Sequence, residues 1–309
     1  MSSSATIDAS GLTRWFGPVI ALNDVQLSVQ APIIGLLGPN GAGKSTFIKL
    51  LVGLLKPSLG TLLLMGQQPW QNDDLAARLG YCPERHRFWN DMTALEFVQL
   101  LTRLHGFDAS LSLSTAHDAL SRVELEKMAM RKIKTLSHGM RQRLKLAQAL
   151  AHKPEILVLD EPLTGLDPLQ RSMVISLLKE EARKGVFVLV SSHVLHELEA
   201  MTRHIVMLNR GRVVAEGELE KIRELMDSHP HRIALVAKRL RALGQELLGH
   251  DDVVRVEVDD RKIVIETRRP DECYDRIGKL ALDGDFQIEQ MYSMDDNLEA
   301  VFKYLVEGR

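Results

Sequence analysis

The sequence predicts an α/β protein in two parts. The larger part is a sheet of mainly parallel strands covered by helices, with an antiparallel β subdomain and a helical subdomain; the smaller is an α+β domain at the C-terminal end. Three observations point there. "EILVLD" and "GVFVLVSS" are short, continuous apolar runs of the kind found in strands covered on both faces by helices. "PIIGLL" leads a further apolar strand into a glycine-rich turn and then an apolar helix, "STFIKLLVGLL". Past about Glu220 the character changes, and short strand patterns alternate with helical ones.

In chain order, residues 1–10, "MSSSATIDAS", are polar and read as a flexible N-terminus without the apolar core of a signal peptide. Leu12 to Val29 is strand-like, with an Asn-Asp turn signal inside "ALNDVQLSV". After the glycine turn and its helix come a turn at "KPSLG" and a strand at "TLLLMG". Phe88 to Leu150 is mostly helical by periodicity, which places a helical subdomain at about 85–150 within a first domain of 11–222. "IVMLNRGRVVAEG" reads as a hairpin turning at Asn209 to Gly211. In residues 223–309, "HRIALVA", "VVRVEV", "KIVIET" and "DFQIEQM" read as strands. "RALGQELLG", "CYDRIGKLAL" and "NLEAVFKYLVE" read as helices. That βαββαβα order predicts a small ferredoxin-like accessory domain.

Bulk properties narrow the function. The 309 residues are 45% hydrophobic and 26% charged, ordinary for a soluble globular chain. A net charge of −2 gives no overall drive toward nucleic acid or anionic lipid. Cys82 and Cys273 form no CxxC pair, which argues against a disulfide framework or a zinc site and suits a reducing compartment. No apolar stretch approaches the ~18 residues of a membrane helix, so any action at a membrane needs another chain to span it.

"GPNGAGKST", Gly38 to Thr46, satisfies G-x-x-x-x-G-K-[ST] between a strand and a helix, the context that the phosphate-binding loop requires. It makes the first domain a P-loop NTPase core. Gly38, Pro39, Asn40, Gly41, Ala42, Gly43 and Thr46 supply the loop whose backbone N–H groups wrap a phosphate, helped by the helix N-terminus. Lys44 adds a full positive charge, and the Ser45 hydroxyl can ligate Mg²⁺. "EILVLDEP" ends a buried strand with Asp160, suited to hold Mg²⁺ through water, and Glu161, suited to orient or deprotonate an attacking water. "VSSH" brings His193 to the same sheet edge, where it can hydrogen-bond a γ-phosphate.

"TLSHGMRQRLKLAQAL", residues 135–150, is a basic helix entered through Ser137, His138 and Gly139. Ser137 is placed as N-cap, which with neighbouring N–H groups makes an anion site, and Gly139 keeps the approach open. Helical spacing turns Met140, Leu144, Ala147 and Ala151 to the core and leaves Arg141, Arg143 and Lys145 mostly exposed. Adjacent Ser and His residues rarely make a productive hydrolytic dyad, and the helix lacks the interleaved aromatics of a nucleic-acid binder.

Over about Leu12 to Glu220 these residues resemble the ATP-binding cassette (ABC) family of transporter ATPases. "GPNGAGKST" looks like its Walker A, "ILVLDEP" its Walker B, "TGLDP" with Asp167 its D-loop and "SSH" its switch histidine. "LSHGM" resembles the signature LSGGQ, and all motifs occur in the family's order. The resemblance implies ATP and Mg²⁺ as ligands and a homodimer sandwiching two nucleotides. Ser137, His138, Gly139 and Asp167 would then meet the nucleotide held by the other copy. Phe16 in "RWFG" takes the place of the family's adenine-stacking aromatic, with Trp15 as the alternative. A separate integral membrane permease would dock near Arg85 to Asp91, "RHRFWND", on the cytoplasmic face of the inner membrane. No nucleic acid is implied.

Two departures stand out. His138 and Met140 replace a Gly and a Gln of the signature, the change at His138 being one associated with the export branch, and Glu84 in "LGYCPE" replaces the Q-loop Gln. Glu84 could still meet Mg²⁺ or water. These features, with the extra C-terminal domain, look like the ATPase subunits of bacterial multidrug or polysaccharide-type exporters; a related branch serves the assembly of copper enzymes. Repair ATPases of the family separate their Walker motifs by a long coiled coil, whereas 115 residues separate Lys44 from Asp160 here. Translation-associated members usually carry two cassettes, and this chain has one. P-loop kinases and GTPases would leave the signature, D-loop and switch His unexplained.

Overall fold

The computed structural model describes residues 6–85, 88–220, 230–259, 261–283 and 286–294. The chain forms two compact units, 1–219 and 220–309. Among the described residues no helix is long and apolar enough to cross a membrane.

The first unit opens with β1 (Thr6–Phe16) and β2 (Val19–Gln30), then β3 (Ile33–Leu37) and α1 (Lys44–Leu51). Next come β4 (Leu59–Leu64), α2 (Asp73–Ala77) and β5 (Leu79–Cys82), then α3 (Ala94–Leu104), α4 (Ala109–Arg122) and α5 (His138–Leu150). It closes with β6 (Ile156–Leu159), α6 (Pro168–Arg183), β7 (Phe187–Ser192), α7 (Leu195–Glu199), β8 (His204–Asn209) and β9 (Arg212–Glu218). β2-β1-β4 is an antiparallel sheet. β5-β6-β7-β3-β8-β9 is a six-stranded sheet, parallel except for its last strand.

Residues 6–10, expected to end a flexible terminus, are instead the first half of β1. Ile7 pairs with both Val29 and Leu64 and is buried, so sheet pairing on two sides holds what composition alone leaves free. Asn23-Asp24 is no turn either. β2 runs through it, Asp24 takes φ 50°, and the register slips between Leu12 and Arg14, the mark of a β-bulge. The reversal lies at Gly17, with φ 56°, just before Val19. The Asn209–Gly211 hairpin forms as expected, with Arg210 and Gly211 both at positive φ.

β3, β6 and β7 are almost wholly buried, as their unbroken apolar runs require. Phe47 and Ile48 of α1 pack into the same core as Leu36, Val158, Leu189 and Val206. Burying each such side chain contributes about 1.5–3 kcal/mol. α3 begins at a full capping box, Thr93 with Glu96, and α4 at an Asp108 cap. Arg122, at the end of α4, pairs with buried Glu181 of α6.

The second unit runs β10 (His231–Ala237), α8 (Leu240–Leu248), β11 (Val253–Val258), β12 (Ile263–Thr267), α9 (Pro270–Asp283) and β13 (Ile288–Ser293). Its antiparallel sheet has the order β11-β12-β10-β13. Ile233, Leu235, Ile263 and Ile265 form a separate core with Leu243, Leu247, Cys273 and Ile277. The expected final helix, "NLEAVFKYLVE", lies outside the described residues.

Candidate ATP site

The glycine turn leaves the C-terminal end of β3 at the middle of the parallel sheet, where β7 and β8 flank it. Such an edge is where ligands of open α/β sheets gather. Gly43 takes φ 106° to bring the chain into α1, and a Cβ there would lie 2.7 Å from the Ala21 carbonyl oxygen. Only glycine satisfies both conditions. Lys44 is buried; its Nζ donates to the carbonyls of Gly38 (2.6 Å) and Pro39 (3.3 Å) and faces Glu161 Oε1 at 3.3 Å.

Glu161 stands at φ 50°, an uncommon backbone state for its type, at the end of β6. Its Oε1 makes an ion pair with Lys44 but no hydrogen bond, although it is buried. Its Oε2 lies 2.9 Å from His193 Nδ1 and 3.5 Å from Thr164 Oγ1. One carboxylate therefore bridges the cradle lysine and the histidine of β7's end. Ser191, fully buried, fixes both acids: its Oγ donates to Asp160 Oδ1 (2.7 Å) and accepts from Glu161 N (2.9 Å). Cys82 sits beneath, its thiol pushed up to about 12 by burial first, with Asp160 adding to it.

A cavity of about 630 Å³ opens over this group. Pro39 through Thr46 line it with Glu84, Glu161, Thr164 and His193, and with Val19 and Ile20 from the hairpin end. Its size falls in the usual range for small-molecule sites. Asp160 lies buried below it. Phe16 is not among the lining residues: it is 44% exposed and carries the Arg14 guanidinium 4.6 Å over its ring. Val19, Ile20 and Thr164 line the cavity and Ser191 holds its acids, though none of the four carries a local sequence signal for the site.

Ser45, Glu84 and Asp160 offer only hard oxygen donors, the set that suits Mg²⁺. Among the described residues no three His, Cys, Asp or Glu side chains form a metal-holding group. A cation here would have to complete its shell with phosphate oxygens and water, as Mg²⁺ does at nucleotides.

The signature residues stand apart from the cradle of their own chain. Ser137 caps α5, its Oγ accepting from Met140 N at 3.2 Å. Asp167 caps α6 in the same way, accepting from Gln170 N at 2.8 Å. Neither lines the cavity. His138 packs its ring against Gly165, and a Cβ on Gly139 would lie 2.7 Å from Gln170 Oε1. Bare backbone at both glycines thus serves contacts within the chain.

α5 corrects one expectation. Leu144, Ala147 and Ala151 are buried as expected and Met140 is half-buried, but Arg143 and Lys145 are buried too. Arg143 donates to the Val123 and Glu124 carbonyls, and Lys145 to those of Pro83 (2.9 Å) and Glu84 (2.7 Å). Gln142 donates to the carbonyls of Glu161 (3.2 Å) and Pro162 (2.8 Å). Satisfied donors make burial of these polar groups tolerable, which spacing alone does not reveal.

The pattern of the ABC transporter family matches residues 22–164. A Bacillus subtilis protein described as an uncharacterized ABC transporter ATP-binding protein is 38% identical, over 66% of this chain and 68% of its own length. A Nod factor export ATP-binding protein of Cupriavidus metallidurans is 34% identical, covering 73% and 74%. The daunorubicin/doxorubicin resistance ATP-binding protein of Streptomyces peucetius is 31% identical, covering 86% and 81%. A dimeric bacterial ABC transporter cassette superposes with a TM-score of 0.64 at 27% identity, over 69% of this chain and 98% of that one. The same cassette bound to ADP and phosphate gives 0.63. With its cradle, paired acids and capped signature helix in the family's order, the chain belongs to the ABC transporter family, as an ATP-binding subunit that hydrolyses ATP.

Proposed function

We propose that this chain is the ATPase of an exporter, working as a homodimer at the cytoplasmic face of the inner membrane against a separate permease. The bridge from Lys44 through Glu161 to His193 carries the hydrolytic part of this reading. Lys44 is held by carbonyls and a carboxylate, ready to exchange them for phosphate oxygens. Glu161, so released, orients water and accepts its proton as the O–Pγ bond forms and the bond from Pγ to the β-bridging oxygen breaks; ADP takes the electron pair. His193 Nδ1 faces Glu161 Oε2 at 2.9 Å; only with both ring nitrogens protonated does it donate from Nδ1 to ionised Glu161 and from Nε2 to the γ-phosphate. Mg²⁺, held by Ser45, Asp160 and Glu84 with the phosphates, would neutralise developing charge.

Ser137, His138, Gly139 and Asp167 act on the nucleotide of the other copy. Loss of the γ-phosphate then releases the clamp, an order-switch logic. Phe16 or Trp15, both exposed at the hairpin end, stacks the adenine beside Val19 and Ile20. Arg85 to Asp91 forms the permease contact, where Trp89 is 54% exposed; His86 and Arg87 lie outside the described residues. Resistance and Nod factor export in the named relatives support the export direction.

Glu161→Gln tests the scheme. It should keep ATP binding, abolish turnover and run as a dimer with ATP in size exclusion. A variant that stays monomeric with saturating ATP would count against the proposal.

A further inference from the structure

Lys145 is a cation buried to 4% exposure, two helical turns beyond Ser137. No carboxylate is within ion-pairing distance of it among the described residues; its partners are two successive carbonyls, Pro83 O and Glu84 O. Burying an ammonium without a carboxylate costs several kcal/mol unless its protons are satisfied. Burial accordingly lowers its pKa, while negative groups nearby, Glu84 and Asp160 among them, oppose that shift. A side chain serving only to fill this space would be cheaper if apolar.

The costly placement has a geometric product. The Glu84 side chain is 47% exposed, and its ion pair among the described residues is with Arg85 Nε at 3.8 Å, itself 94% exposed, a weak hold on its position. The two Lys145 hydrogen bonds hold the backbone that aims it. Lys145, Glu84 and Glu161 also line one shared cleft of about 700 Å³ between α5 and the strand ends.

We infer that Lys145 is a positioning residue. It holds the Glu84 carboxylate at the metal side of the ATP site, and it ties that placement to the helix whose first residue, Ser137, meets the other copy's nucleotide. The inference rests on the proposed role of Glu84. A shift of α5 on dimer closure then moves Glu84 with it, because the same rigid helix carries both contacts.

The test measures binding of a fluorescent, non-hydrolysable ATP analogue to the full chain, with Mg²⁺ and with a chelator. The readout is the gain in affinity that Mg²⁺ brings. Lys145→Met should cut that gain roughly 10–100-fold, the usual cost of losing a partner behind a metal ligand. In a Glu84→Ala background the same substitution should change it less than about threefold, since no oxygen donor remains to be aimed. Equal losses in both backgrounds, or none in either, overturn the inference. If Glu84→Ala alone keeps the full Mg²⁺ gain, the Glu84 assignment fails and this inference falls with it. If that variant loses the gain but Lys145→Met does not, Lys145 alone is wrong. Lys145→Leu removes the donor as Met does; it replaces the Met variant, under the same criterion, should the latter not fold.

Discussion

Ser191→Ala isolates the part of the ATP site that is structural scaffolding. Its hydroxyl has no solvent exposure, donates to Asp160 Oδ1 at 2.7 Å and accepts from Glu161 N at 2.9 Å. Alanine removes both hydrogen bonds at once, leaving Asp160 Oδ1 and Glu161 N without this partner, and adds no volume. A hydrogen bond to a charged acceptor contributes about 1.5–3 kcal/mol and a neutral one about 0.5–1.5, so the expected loss is roughly 2–4 kcal/mol. For a unit of this size each kcal/mol lowers Tm by about 2–4 °C, which predicts a fall of roughly 5–15 °C. The assay is convenient because Trp15, Trp70 and Trp89 all lie in the first unit, so intrinsic fluorescence follows that unit alone. Turnover should fall as well, since Asp160 and Glu161 both lose the group that orients them. A variant that melts within about 1 °C of the parent would refute the reasoning; the smallest loss allowed above already moves Tm further.

Two further outcomes follow from the geometry. His152 stacks on His105 at 3.9 Å, its Nε2 is 3.2 Å from the Leu79 carbonyl, and burial, with His105 adding, pushes its pKa down to about 4. The unfolded chain then binds the extra proton first. Stability is whole above pH 6.5 and drains as pH falls from there toward 4, by about 1–2 kcal/mol after allowing for partial exposure. Melting curves of His152→Gln should show a shallower acid limb, and an unchanged slope would exclude this source. Gly43→Ala forces a side chain to φ 106° and to within 2.7 Å of the Ala21 carbonyl. It should cost about 2–3 kcal/mol and lower ATP affinity at least tenfold by titration; binding at the parental level would show that the loop does not need that bend.

The sequence alone determined the features whose physics acts between near neighbours in the chain. The glycine cradle, the Ser137 cap, the hairpin at Arg210-Gly211 and the β-α-β-β-α-β order of the second unit all rest on local φ, short-range caps or periodicity. The fold class and the family followed from these because the motifs sit at fixed places on strands and helices. Only the tertiary structure decided where charged residues on α5 go. Lys145 is buried because carbonyls 61 and 62 residues away converge on it, and a helical pattern cannot see them. For the same reason Asn23-Asp24 became a bulge within a paired strand rather than a turn, and the site gained Ser191, Thr164 and Gln142. Burial of a polar group is decided by whether distant partners satisfy it, and that information exists only once the chain has closed on itself.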